Sequence, residues 1–137
     1  SVHKDDDKQV KVIAGKFEKA EGPVKGHNVE PVYFDVELNK AKEFNFHIPS
    51  THNSFLYLIN GEIEIGTKKH DNVKDSTLIL LTKGNELKVI AKSKAKFLVI
   101  SGKPINEEIA RGGPFVMNTK AEILQAVQDY HNGTFVK

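Results

Sequence analysis

The 137-residue sequence contains no cysteine, which excludes a disulfide framework, a thiolate zinc site and a cysteine nucleophile. That absence also fits a reducing compartment. Long apolar runs are missing too. The longest, such as Leu78-Ile79-Leu80-Leu81, are far too short to span a bilayer, so no membrane association is expected. The amino terminus, opening Ser1-Val2-His3-Lys4-Asp5, has no apolar signal region, and the cytoplasm is the expected compartment. A first residue other than Met is expected of a processed or excised chain. No sign of charge dominates: 20 basic and 18 acidic residues leave a net charge of +2, giving no field to steer a polyanion. Nucleic acid is therefore not implied. No serine sits in a Gly-x-Ser-x-Gly elbow, and Gly112-Gly113-Pro114 does not lie between a strand and a helix as a phosphate loop would. Those glycines read as the turn that positions a terminal helix.

What is present is the balance of an ordinary globule, with 39% apolar and 28% charged residues, long enough for one domain with a real core. Residues 1–8 are charged and read as a frayed linker. A β pattern follows. Val10 to Gly15 is a short strand ending at glycine, and Glu21-Gly22-Pro23-Val24 is a turn. After Pro31, Val32, Phe34, Val36 and Leu38 alternate onto one face. Phe44, Phe46 and Ile48 repeat the alternation before Pro49 stops it. Phe55 to Ile59 leads through Asn60-Gly61, a strong hairpin signal, into Glu62 to Gly66. Glu62 and Glu64 share its outer face and read as a solvated ladder. Two further hairpin-like units follow, one turning at Lys83-Gly84-Asn85 between Thr77–Leu81 and Leu87–Ala91, the other ending Phe97–Ile100 at Gly102. Lys92, Lys94 and Lys96 suggest a solvated edge that resists strand pairing. Seven to nine short strands with Gly, Pro and Asn turns argue for a sandwich or barrel.

The tail changes period. Thr119-Lys120-Ala121-Glu122 is a capping box, and Ile123, Leu124, Val127 and Tyr130 fall on one helical face before the stop at Asn132-Gly133. The expected organisation is a linker over 1–8, a β-barrel over 9–118, and a helix and tail over 119–137 that pack on the barrel or on a partner.

The stretch Gly102-Lys103-Pro104-Ile105-Asn106-Glu107-Glu108-Ile109, with Gly113-Pro114-Phe115-Val116-Met117-Asn118-Thr119 after it, resembles the C-terminal signature of the pirin family. Val12-Ile13-Ala14-Gly15, Gly22-Pro23-Val24 and the Tyr57-to-Gly66 segment support the resemblance in the right order. It implies a mostly β, cupin-type double-stranded β-helix (jelly-roll) barrel with one C-terminal α-helix. Family members carry two such barrels, and this chain resembles the second. Some members resemble quercetin dioxygenases that use a metal in the first barrel; others resemble transcriptional co-regulators.

A metal-binding cupin has two histidines one residue apart and a glutamate shortly before a strand end similar to Tyr57-Leu58-Ile59-Asn60-Gly61. Alternate strand residues point the same way, so such ligands converge inside a barrel. Counted back on this sequence, His47 lands near the first ligand position. The second falls at Pro49 or Ser50 and the carboxylate at Asn53 or Ser54, and no histidine occurs between His70 and His131. The expectation is no metal, no cofactor and no catalytic residue in this chain. His47, out of phase with Phe44, Phe46 and Ile48, reads as an ordinary partly exposed or hydrogen-bonded strand histidine, with ligand contact as the alternative. His52 in His52-Asn53-Ser54-Phe55 reads as a turn residue tying the backbone, again with ligand contact as the alternative. His3, His27, His70 and His131 read as surface.

Two readings follow. In the first, the chain is a non-catalytic module, structural or protein-binding, whose partner is a pirin-type N-terminal cupin domain or a second copy of itself. In the second, the barrel holds a small molecule, enzymatically or not, lined by Tyr33, Phe46, Tyr57, His47 and His52. Because the two barrels of the family face each other, an isolated second barrel is expected to expose an apolar surface and to form a homodimer.

Overall fold

A computed structural model describes residues 1–25, 28–67 and 70–136. It divides into two compact units, residues 1–104 and residues 105–137. The expected barrel span of 9–118 runs past the end of the first unit into the second.

The first unit holds β1 (Val2–Lys4), β2 (Lys8–Ala14), β3 (Lys16–Phe17), β4 (Ala20–Glu21), β5 (Val32–Leu38) and β6 (Glu43–His47). It continues with β7 (Asn53–Asn60), β8 (Glu62–Ile65), β9 (Asp71–Lys74), β10 (Thr77–Leu80), β11 (Glu86–Ala91) and β12 (Ala95–Gly102). A six-stranded sheet has the order β1-β2-β5-β12-β7-β10, and a four-stranded sheet the order β6-β11-β8-β9. From β5 onward the chain passes back and forth between the two, which is the double-stranded β-helix expected from the resemblance. Strand alternation turns one face of each sheet inward. Phe34, Val36, Leu38, Leu56, Leu58, Phe97 and Val99 from the large sheet meet Phe44, Ile63, Leu87 and Val89 from the small one, all buried. Aromatic rings tie the sheets together: Phe17 stacks on Phe44 at 5.4 Å, and Phe44 meets Phe97 edge-on at 5.6 Å.

The structure corrects four local expectations. Residues 1–8 are not a frayed linker, because β1 pairs antiparallel with β2. The turn between them is built on Asp5, whose carboxylate accepts from the backbone N–H groups of Asp7 and Lys8, both at 2.8 Å. Those N–H groups, Lys8's first, and His3 after them hold the Asp5 carboxyl down to about 2. Second, Asn60-Gly61 does not close a hairpin: β7 pairs with β10 and β12, whereas β8 pairs with β9 and β11. The dipeptide carries the chain from one sheet to the other. Third, β10 and β11 are likewise in different sheets, so Lys83-Gly84-Asn85 is a second crossing. Fourth, Lys96 lies on β12, between β5 and β7, and pairs with Asp35 at 3.5 Å and Glu37 at 3.6 Å. It is an ion-paired residue of a central strand, not edge protection. On the small sheet, hydrogen bonding from Lys92 holds the Glu64 carboxyl below its usual range, and His70 adds a contact at 3.1 Å.

The second unit contains β13 (Ala110–Gly112), β14 (Phe115–Met117) and α1 (Lys120–His131). Gly113-Pro114 closes the β13–β14 hairpin. The capping box forms as expected: Glu122 N–H donates to Thr119 Oγ1 at 3.2 Å, and Thr119 N–H to Glu122 Oε2 at 2.7 Å. The Thr119 hydroxyl and backbone N–H hold the Glu122 carboxyl below its usual range. At the other end, Gly133 N–H donates to the Tyr130 carbonyl and Thr134 N–H to the Asp129 carbonyl, a Schellman closure with Gly133 at φ 71°. Of the expected helical stripe, Ile123 and Val127 are half-buried, but Leu124 and Tyr130 are exposed, and the buried helical residue is Ala126. Phe115 anchors the unit against Tyr130 and Phe135.

Candidate functional site

The strand ends nearest β3 and β4 surround a cleft of about 530 Å³. Phe46 and His47 reach it from the end of β6, Pro31 and Val32 from the start of β5, and His52 from the turn before β7. That turn forms where Pro49 ends β6's extension: its carbonyl accepts from His52 N–H at 2.9 Å. His47 is exposed, as its phase predicts, since Phe44 points into the core and Glu43, Asn45 and His47 point away. His52 is only 5% exposed. Its imidazole is tied not to the backbone but to a side chain, Nδ1 lying 3.0 Å from Ser101 Oγ. Ser54 Oγ–H donates to the same oxygen at 3.0 Å. Nε2 is buried and has no hydrogen-bond partner among the described residues. The nearest carboxylate oxygen, Oε2 of Glu30, is 3.9 Å away.

Of the five expected ligand-binding residues, the structure brings Phe46, His47 and His52 to this cleft. Tyr33 and Tyr57 lie elsewhere and do not line the barrel interior, because they alternate with the buried Val32 and Phe34, and Leu56 and Leu58. Two residues of the His52 environment escaped the sequence reading. Ser101 had a readable signal: it continues the inward series Ala95, Phe97, Val99 as its one polar member. Glu30 had none beyond its place before Pro31, where it takes a left-handed φ of 46°. Of the other histidines, His3 is half-buried, edge-on to Phe17 at 5.3 Å, whereas His70 and His131 are exposed. His27 lies outside the described residues.

A metal needs three or more convergent donors, and among the described residues no group of three His, Asp or Glu side chains could hold one. His47 and His52 occupy the same cleft, but one is exposed and the other is engaged by Ser101. The positions where a carboxylate would stand carry Asn53 and Ser54.

Tyr33 and Tyr57 belong to a second feature, the outer face of the six-stranded sheet. Cross-strand register aligns Tyr33, Ile100, Phe55 and Leu80 in one row, and Leu98, Tyr57 and Leu78 in the next. Leu78 is 55% and Leu80 77% exposed, and both sit on β10, which ends the sheet. Thr77 to Leu80 carries no charge and no proline, the usual protections of an edge strand.

Residues 33–136 match the Pirin C-terminal cupin domain. The chain belongs to the pirin family. It is 41% identical over 104 residues to a pirin-like protein of Solanum lycopersicum, covering 74% of this chain and 36% of that protein. A pirin-like protein of Caulobacter vibrioides is 34% identical over 127 residues, covering 92% of this chain and 45% of that protein. The crystal structure of a quercetin 2,3-dioxygenase from Acinetobacter baumannii superposes with a TM-score of 0.80 at 32% identity, over 96% of this chain and 45% of the other. A fold-level likeness extends to an RmlC-like cupin of Shewanella frigidimarina, with a TM-score of 0.53 at 8% identity. This pirin-family chain spans less than half the length of the two pirin-like proteins and of the Acinetobacter protein. No helix among its described residues is long and apolar enough to cross a membrane.

Proposed function

We propose that this chain is a pirin-type C-terminal cupin module that works by protein contact and carries no catalytic metal of its own. The supporting observation is the outer face of the six-stranded sheet, where two apolar rows run out to the uncharged edge strand β10. Exposed apolar rows ending at an open strand edge favour association. The partner is a second copy of the chain or a pirin-type N-terminal cupin, which would cover the same rows. The donor set supports the metal-free part: one exposed imidazole, one imidazole held by a serine, and amide and hydroxyl groups where a carboxylate would be needed. The dioxygenase activity named for the Acinetobacter protein belongs to a chain about twice as long.

Metal analysis combined with a dioxygenase assay on a flavonol tests this reading. The expected result is sub-stoichiometric iron, nickel and copper and no oxygen-dependent turnover by this chain. A full equivalent of one of these metals, with turnover that needs oxygen, would establish an enzyme instead.

A further inference from the structure

The geometry points to a small-molecule subsite between His52 and Glu30 that takes an aliphatic alcohol carried on an apolar body. This goes beyond the contact role proposed above and does not depend on it. Ser54 donates its proton to Ser101 at 3.0 Å, and Ser101 Oγ lies 3.0 Å from His52 Nδ1, so its own proton is free to go to that nitrogen. In the tautomer whose Nδ1 accepts that proton, the ring's own proton is on Nε2, an atom buried without a partner among the described residues, and the proposal takes this tautomer. Facing it at 3.9 Å is a carboxylate oxygen of Glu30, an acceptor. That gap is too long for a hydrogen bond. An oxygen placed about 2.8 Å from both atoms would subtend an angle of about 90° between them. A hydroxyl there accepts from His52 and donates to Glu30, satisfying both groups. An alcohol oxygen accepts better than a phenol oxygen, whose lone pair is delocalised into its ring, so the pair favours the alcohol.

The surroundings suit an apolar body on that hydroxyl. Phe46 is half-buried, and Val32, Pro31 and Pro49 line the same cleft. Glu30 is well placed to admit the ligand. Its side chain is 66% exposed and can swing outward from over Nε2. The residue before it is anchored, the Val29 carbonyl accepting from Lys103 N–H at 2.7 Å. A left-handed φ of 46° at a residue before proline is strained and is the kind of conformation retained where position matters.

The test uses benzyl alcohol and, as a control that accepts but cannot donate, benzyl methyl ether. Each is titrated into the protein while the His52 and Phe46 ring resonances are followed by NMR. Benzyl alcohol is expected to shift both rings saturably, with the ether binding at least about 10-fold more weakly. Glu30→Gln, which keeps the side chain's shape but loses the charged acceptor, is expected to weaken the alcohol about 10-fold and leave the ether unchanged. Ser101→Ala, which frees the imidazole, is expected to weaken the alcohol several-fold in a protein whose core resonances are unaltered. Equal affinity for alcohol and ether, or no His52 shift up to the solubility of the alcohol, would overturn the proposal and leave the gap as a site for water only. Neither outcome bears on association through the sheet face, which the mass of the protein in solution reads separately.

Discussion

Replacing Phe44 by alanine is expected to destabilise the protein by about 3–5 kcal/mol, a large part of the total for a domain of this size. The ring is fully buried on the small sheet and touches Phe17 and Phe97, so it joins three parts of the chain far apart in sequence. Deleting it removes transfer free energy and leaves a cavity that a two-sheet barrel closes poorly, since the strands on either side are fixed by their own ladders. Urea unfolding reads the effect as a lowered midpoint at an unchanged slope. Phe44→Leu, which refills most of the volume, is expected to cost about 1 kcal/mol. An alanine variant within about 1 kcal/mol of the parent would mean that Phe44 is not between the sheets.

The second large effect is expected at Gly61. Its φ of 94° disfavours any L side chain, and a Cβ there would stand 2.5 Å from the Lys94 carbonyl oxygen and 2.8 Å from the Ala95 Cα. Both obstacles are backbone at the start of β12, a central strand that cannot give way without disturbing its pairing. Gly61→Ala is therefore expected to cost about 3 kcal/mol, from conformational strain and overpacking together. The informative comparison is Gly61→Asn. In a simple hairpin turn asparagine tolerates a positive φ and costs little. Here the crossing between sheets brings the backbone too close, and asparagine is expected to cost as much as alanine. A mild asparagine variant beside a severe alanine one would restore the hairpin interpretation.

That contrast shows what the sequence makes legible. Periodicity is a property of one strand, so β5 was readable from Val32, Phe34, Val36 and Leu38, and the inward face of the barrel with it. Pairing is a property of two strands, and proximity in sequence stood in for it wrongly at Asn60-Gly61 and at Lys83-Gly84-Asn85. A jelly roll sends successive strands to opposite sheets, which local turn chemistry does not announce. The edge strands were hardest: β1 is only three residues, and in β9 a single apolar residue, Val73, lies among Asp71, Asn72 and Lys74. In the tail the helix ends were readable, because capping is local and Thr119, Glu122 and Gly133 each act within one turn, whereas the β13–β14 hairpin ahead of them was not.

The same division applies to the cleft. His47 and His52 were visible as residues, and the outward direction of Tyr33 follows from its phase against Val32 and Phe34. The relation of His52 to Ser101 and Glu30 was not visible, since it joins positions 49 and 22 residues away through the fold. The outer sheet face was legible as an expectation of exposed apolar surface but not as particular residues. Its rows exist only once β5, β12, β7 and β10 are set side by side.

The mass of the protein in solution tests the contact role most directly. Static light scattering at high protein concentration is expected to give twice the 15.3 kDa of one chain. Leu80→Lys, which places a charge on the open edge, is expected to return the mass to that of one chain without loss of stability. A single-chain mass for the unsubstituted protein at every concentration would contradict self-association through this face.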